Sequence, residues 1–178
     1  MSSGAKYKVP LRRRREGRTD YGQRLALLKS GKPRLVVRKT NNHALVQLVE
    51  AGEQGDRTLA HAHTSELRDH GWEAPTGNLP AAYLVGYLGG SRAVEHADEA
   101  VLDIGVNSVT PQNRVFAALK GAVDAGLDVP HGEEVLPAWE RVRGEHIAEG
   151  VEYEAREVDA GDVPGMFDDV LAELEETA

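Results

Sequence analysis

The sequence predicts an α/β fold: a mixed sheet opening with an antiparallel three-strand meander, helices packed on it, a basic extended N-terminal arm and an acidic helical C-terminal extension. Three observations predict it. Apolar segments of strand length follow one another between residues 34 and 64 with only turn-sized gaps. Beyond them a helical pattern, a short apolar strand and a second helical pattern alternate, as in layered α/β domains. Charge is segregated as well: residues 1–43 hold 13 Lys and Arg against two acids, whereas residues 44–178 hold 8 against 27.

Residues 1–18 contain Pro10, Gly4 and Gly17 with little apolar content and read as an extended arm. Thr19 or Asp20 can then cap a helix carrying Tyr21, Leu25, Leu27 and Leu28, stopped by Gly31 and Pro33. RLVVRKT (34–40) is the first strand, Asn41-Asn42 the turn, and HALVQLVE (43–50) the returning strand. TLAHAHT (58–64) alternates Leu59, His61 and His63 against Ala60 and Ala62 and makes a third. A short helix follows from Ser65 to Gly71. Residues 80–98 predict a long helix whose Gly86, Gly89, Gly90 and Ala93 suggest close packing on a sheet. AVLDIG (100–105) predicts a buried strand, 113–125 a second helix and LDVP (127–130) one more strand. Residues 133–150 contain a third helix, and VPGMFDDVLAELEE, from Val163, a final amphipathic one. The divisions are an arm at 1–18, a domain at 19–150 and an acidic extension at 151–178.

Composition excludes much. No run approaches the ~20 apolar residues that cross a bilayer, so no membrane association is expected. The absence of cysteine removes disulfides, thiolate metal sites and a cysteine nucleophile. No P-loop, dinucleotide fingerprint or G-x-S-x-G elbow occurs. His61 and His63 share a strand face at a spacing that can bind zinc, but a third ligand from Glu66, Asp69 or His70 fits no known motif. Asp103, at a strand end, could bind Mg²⁺; it lacks a second carboxylate for two-metal chemistry, and bonding to loop amides is the alternative. Catalytic residues, metal and cofactors are therefore expected to be none.

The basic block is the strong signal. It comprises Lys6, Lys8, Arg12, Arg13, Arg14, Arg15, Arg18, Arg24, Lys29, Lys32, Arg34, Arg38 and Lys39, interleaved with Tyr7, Tyr21, Asn41, Asn42 and His43. Arginine binds phosphate through a planar fork and stacks on bases. With no helix-turn-helix, zinc finger or basic zipper visible, RNA is favoured over DNA.

Residues 7–43, YKVPLRRRREGRTDYGQRLALLKSGKPRLVVRKTNNH, then HTSELRDHGWEAPTGNLPAAYLVGYLGG and AVLDIGVNSVTPQNRVFAALKGAVDAGLDVPH, resemble the archaeal and eukaryotic L-eighteen family of large-subunit ribosomal proteins. The resemblance covers roughly residues 5–150. It implies a non-enzymatic, cytoplasmic ribosomal component that binds 5S rRNA and helps attach it to 23S rRNA beside neighbouring proteins of the central protuberance. It implies RNA contacts at Lys6, Tyr7, Lys8, Arg12 to Arg15, Arg18, Thr19, Tyr21, Arg24, Lys32, Arg38, Asn41, Asn42 and His43. The loops carrying Thr76, Asn78 and Arg114 are further candidates. TNNH stands where the family more often has Ser-Asn-Lys/Arg-His, so Asn42 lacks one base. The acidic surface, with 15 Arg to 6 Lys, resembles that of a halophilic archaeal member. A free RNA-binding regulator and a metal-dependent phosphoesterase are the alternatives.

Overall fold

The turn at Asn41-Asn42 folds two strands back on each other. In the computed structural model, which describes residues 4, 6–150 and 160–177, β1 (Arg34–Lys39) and β2 (Ala44–Gly52) pair antiparallel, Arg38 opposite Leu45. The turn is closed by the Thr40 amide donating to the His43 carbonyl at 2.8 Å and the His43 amide donating to Thr40 Oγ1 at 3.0 Å. β3 (Gly55–His63) pairs with β2 through an irregular register at Leu48/Val49. β4 (Val101–Asp103) lies parallel to β1, so the mixed sheet runs β3-β2-β1-β4, as expected. The strand expected at 127–130 is reduced to a single parallel bridge between Glu99 and Asp128. Gly126 at φ 105° precedes it and Pro130, with no N–H, follows.

A short 3-10 turn (Glu66–His70) stops at left-handed Gly71. Two helices then cover one face of the sheet. α3 (Leu79–Val94) starts at Asn78, whose side chain accepts from the Ala81 amide at 2.9 Å. α4 (Arg114–Asp124) starts at Asn113, which accepts from the Val115 amide at 2.7 Å. Leu35, Val37, Val46 and Leu48 of the sheet pack with Leu84, Val85, Phe116 and Leu119 in one buried cluster. Each fully buried side chain of this size contributes about 1.5–3 kcal/mol. The glycines of α3 divide between two neighbours. Only Gly89 meets the sheet, where an added Cβ would lie 2.9 Å from Val46 Cγ1. Gly86 and Gly90 instead face α4; a Cβ on Gly86 would sit 2.1 Å from the Ala118 carbonyl oxygen. Small residues four apart line one side of a helix and let a neighbouring backbone approach.

The third expected helix is broken into a 3-10 turn (Glu133–Val135), α5 (Trp139–Arg143) and α6 (Glu145–Ala148). Pro137 interrupts the first gap, and Gly144 at φ 87° the second. α7 (Val163–Thr177) buries Val163, Phe167, Val170 and Leu174, the expected amphipathic stripe. Phe167 packs against Tyr83 and Trp139 at ring-centroid distances of 5.5 and 5.9 Å. Arg143 grips Asp168 with both prongs, at 3.0 and 2.5 Å. The last helix thus closes onto α3 and α5. Residues 151–159 of the expected acidic extension lie outside the described residues.

The N-terminal arm differs from expectation: it is not extended throughout. Arg12–Arg15 form one helical turn, α1, before the helix expected after Asp20, which is present as α2 (Tyr21–Leu28). Arginine has high helix propensity, Arg12 pairs with Glu16 one turn on at 2.8 Å, and Gly17 at φ 65° ends the turn.

Candidate nucleic-acid interface

Register sorts the first strand into two faces. Leu35 and Val37 point into the core, so Arg34, Val36 and Arg38 point the other way. Val36 pairs with Asp103 and Gln47, and Gln47 with His61, which puts these residues on the same outer face. The sheet therefore has one apolar face under the helices and an outer face that mixes Arg34, Arg38, Asp103, Gln47 and His61 with apolar Val36, Leu45 and Val49.

An ionic network occupies that outer face. Asp103 Oδ2 accepts from Arg34 Nη1 at 2.6 Å, and Oδ1 accepts from Arg38 Nη2 at 2.8 Å and the Gly105 amide at 2.9 Å. Burial opposes ionisation of Asp103, but the Arg38 and Arg34 guanidinium groups and the Gly105 amide outweigh it and hold the carboxyl below its usual range. The loop-amide bond expected at Asp103 is present, together with two arginines. Arg34 is 2% exposed and its other prong reaches Asp56 Oδ2 at 2.7 Å, so its charge is held inside the protein. Arg38 also donates to the Asp103 and Val37 carbonyls at 2.6 and 2.9 Å, yet its side chain is 39% exposed. Its guanidinium is therefore fixed and presented. Gly105 lies under it at φ 64°; a Cβ there would approach Arg38 Cζ to 2.9 Å.

The arm carries exposed cations, whereas Arg24, the one cation of α2, is paired. Arg12 and Arg18 share Glu16 and keep side-chain exposures of 82% and 67%. Arg13 Nε donates to Thr19 Oγ1 at 2.8 Å. Asp20 caps α2, accepting from the Gly22 and Gln23 amides at 2.9 and 3.1 Å. Arg14, Thr19 and Tyr21 line a cleft with Val106. Lys6, Tyr7, Lys8, Arg15 and Lys29 are exposed, and Lys39 is half-buried. Arg24 Nη2 reaches Asp56 Oδ1 at 2.7 Å, and Lys32 Nζ reaches Glu99 at 2.5 Å.

The second group of predicted residues meets at the hairpin tip. Thr76 Oγ1 donates to the Asn42 carbonyl at 2.7 Å and lies 3.1 Å from His43 Nδ1. Arg114 Nη1 donates to the carbonyls of Gly77 at 2.8 Å and Asn41 at 3.2 Å. Gly77 presses on the tip, where a Cβ would stand 2.4 Å from the Asn41 oxygen. Thr76 and Arg114 thus come together with Asn41, Asn42 and His43 although 33 to 73 residues separate them, while Asn78 caps α3 beside them in sequence. Arg114 and Asn78 have structural duties there, as a staple and a helix cap. The asparagines of the tip are exposed.

His61 and His63 do lie on one strand face, but His63 Nδ1 bonds Ser65 Oγ at 2.7 Å and its ring packs against His43 at 4.8 Å. Glu66, weighed as a third metal ligand, accepts from Arg92 at 2.8 Å and the His63 amide at 2.7 Å. Among the described residues no group of three or more metal-ligating side chains comes together, and no helix is long and apolar enough to cross a membrane. Sequence reasoning missed Asp56, Gly77 and Gly105 as supports of the interface. Asp56 pairs with residues 22 and 32 positions away, a relation that leaves no local pattern.

Comparison with known proteins identifies the family. The family model described as "Ribosomal large subunit proteins 60S L5, and 50S L18" matches residues 5–99 and 93–132. The large ribosomal subunit protein uL18 of Halorubrum lacusprofundi is 58% identical over 182 residues, covering 99% of this chain and 98% of its own. That of Haloarcula marismortui is 58% identical over 180 residues, with 98% and 96% covered. That of Haloferax volcanii is 57% identical over 182 residues, with 99% of each covered. Matched over nearly all of its length at 57–58% identity, the chain belongs to the uL18 family of large ribosomal subunit proteins.

Proposed function

We propose that the protein is a structural constituent of the large ribosomal subunit that binds 5S rRNA and helps attach it to 23S rRNA in the central protuberance, beside neighbouring ribosomal proteins. The observation that carries this reading is the placement of the basic residues. Thirteen of the 21 Lys and Arg fall in the first 43 residues of a chain whose net charge is −8, on the arm, α2, the segment after it and the strand leading to the hairpin tip. Exposed Arg12 and Arg18 suit phosphate, and Tyr7 and Tyr21 suit stacking on unpaired bases. The protein performs no catalysis in this role; it supplies a shaped, charged surface.

Contact geometry matters more than long-range attraction in concentrated salt. At 1 M the Debye length is about 3 Å, so a charge acts on little beyond what it touches. The test measures 5S rRNA affinity against a DNA duplex of equal length, for the wild type and for a variant with Arg12 to Arg15 all replaced by lysine, at low and molar KCl. Preference for the RNA is expected, with the lysine variant losing more at molar salt because it keeps charge but lacks the fork. Equal affinity for RNA and DNA would overturn the reading. Co-sedimentation with the large subunit in a sucrose gradient separates a ribosomal constituent from a free regulator.

A further inference from the structure

We propose that Asp56 is a positioning residue for RNA binding: a carboxylate placed inside the basic surface to latch the root of the N-terminal arm to the sheet. The inference rests on the RNA-binding reading and deepens it. α2 has no fully buried side chain, and its Leu27 and Leu28 are only half-buried. Apolar packing therefore holds it loosely. Asp56, at the start of β3, offers Oδ1 to Arg24 of α2 at 2.7 Å and Oδ2 to Arg34 of β1 at 2.7 Å. Arg34 is anchored in turn by Asp103 at 2.6 Å, and Asp103 fixes Arg38 at 2.8 Å. One chain of charge-assisted bonds thus runs from the arm's helix through the sheet to the presented guanidinium of Arg38. Both carboxylates are held below their usual range, Asp56 first by the Arg24 bond and Asp103 by Arg38 and Arg34 against its burial. The network is ionised at neutral pH.

An acid among cations weakens the pull on a polyanion when charge alone matters. Its removal should then tighten RNA binding. If Asp56 sets the orientation of α2, and with it the direction in which Arg12 to Arg18 leave the domain, removal should loosen specific binding despite the added positive charge. The two views predict opposite signs.

The experiment uses full-length wild type, Asp56→Asn and Asp56→Ala with 5S rRNA and with an unstructured polyuridine of equal length, at molar KCl. Specific affinity is expected to fall roughly five- to tenfold, the size of coupling seen between contacting charged residues, while polyuridine affinity stays level or rises. The chain has no cysteine, so Gln23→Cys with Thr58→Cys, both at exposed positions, accepts a pair of spin labels across the latch. A narrow distance distribution in the wild type should broaden in Asp56→Ala. Because the Asp56 side chain is 31% exposed, the variants are expected to fold, and circular dichroism melting checks this. Unchanged or tighter 5S rRNA binding by the variants would refute the latch, as would an unchanged label distribution. Failure of the wild type itself to prefer 5S rRNA would refute the functional reading instead.

Discussion

Replacing Gly77 by alanine tests whether the hairpin tip is buttressed by the loop beneath it. The new Cβ would stand 2.4 Å from the Asn41 carbonyl oxygen and 3.2 Å from Asn42 Cα, where real Cβ atoms stay beyond 3.0 Å. The tip or the loop must therefore move by about 0.6 Å. Among the bonds that cross this seam are Arg114 Nη1 to the Asn41 carbonyl at 3.2 Å and Thr76 Oγ1 to the Asn42 carbonyl at 2.7 Å. A neutral bond contributes about 1 kcal/mol net and a charged one about 1.5–3 kcal/mol. A hairpin end can swing outward and keep part of both. We expect a destabilisation of about 2 kcal/mol, or roughly 4–8 °C in melting temperature for a chain of this size. Because Asn41, Asn42 and His43 move with the tip, 5S rRNA affinity should fall roughly three- to tenfold. The same substitution at Gly165, where nothing lies within 4 Å of the added atom, should stabilise helix α7 by about 0.5–1 kcal/mol. The assay is thermal melting by circular dichroism with filter binding to 5S rRNA. A Gly77→Ala variant that melts and binds like wild type would refute the seam.

Three further outcomes follow from the same structure. Phe167→Ala should cost about 3–5 kcal/mol by opening a cavity between Tyr83 and Trp139, and denaturant melts should show α7 leaving the domain; a loss below 1 kcal/mol would mean that the helix is not part of the core. Asp103 and Asp56 are held below the usual carboxylate range by their arginines, so the stability they contribute is fully present above that range and is lost as the pH falls through the lowered folded values. Asp103→Asn should thus be less stable than wild type at pH 7, with the gap closing at strongly acid pH; a pH-independent gap would count against the ionised network. Residues 44–178 carry 27 acids against 8 bases, and cations relieve such self-repulsion, so the melting temperature should rise from low to molar KCl, and a flat or falling profile would remove that account.

Much of the fold was legible because its signals are local. A Val- and Leu-rich run marked β1, Asn41-Asn42 the turn and so the returning β2, period-two alternation marked β3, and Asn113 and the spacing of Val115, Leu119 and Ala122 marked α4. The basic surface was legible for the same reason: charge is written in composition. Misreadings came where a local rule met a competing one. The arm's arginines coil into α1 because Glu16 stands one turn from Arg12 and Gly17 closes the turn. Pro137 and Gly144 break what looked like one helix.

Tertiary structure alone decided which cations are free. From sequence, Arg34, Arg38, Arg12 and Arg18 are alike. In the fold Arg34 is sealed between Asp56 and Asp103, Arg38 is gripped but presented, and Arg12 and Arg18 stand largely in solvent. It also joined Thr76, Gly77 and Arg114 to the hairpin tip and turned Gly86 toward α4, away from the sheet. The reason is physical. Periodicity, capping and charge act over a few residues and survive in any reading of the chain. Ion pairs and backbone contacts between residues 22 to 73 positions apart exist only once the sheet has brought their strands together.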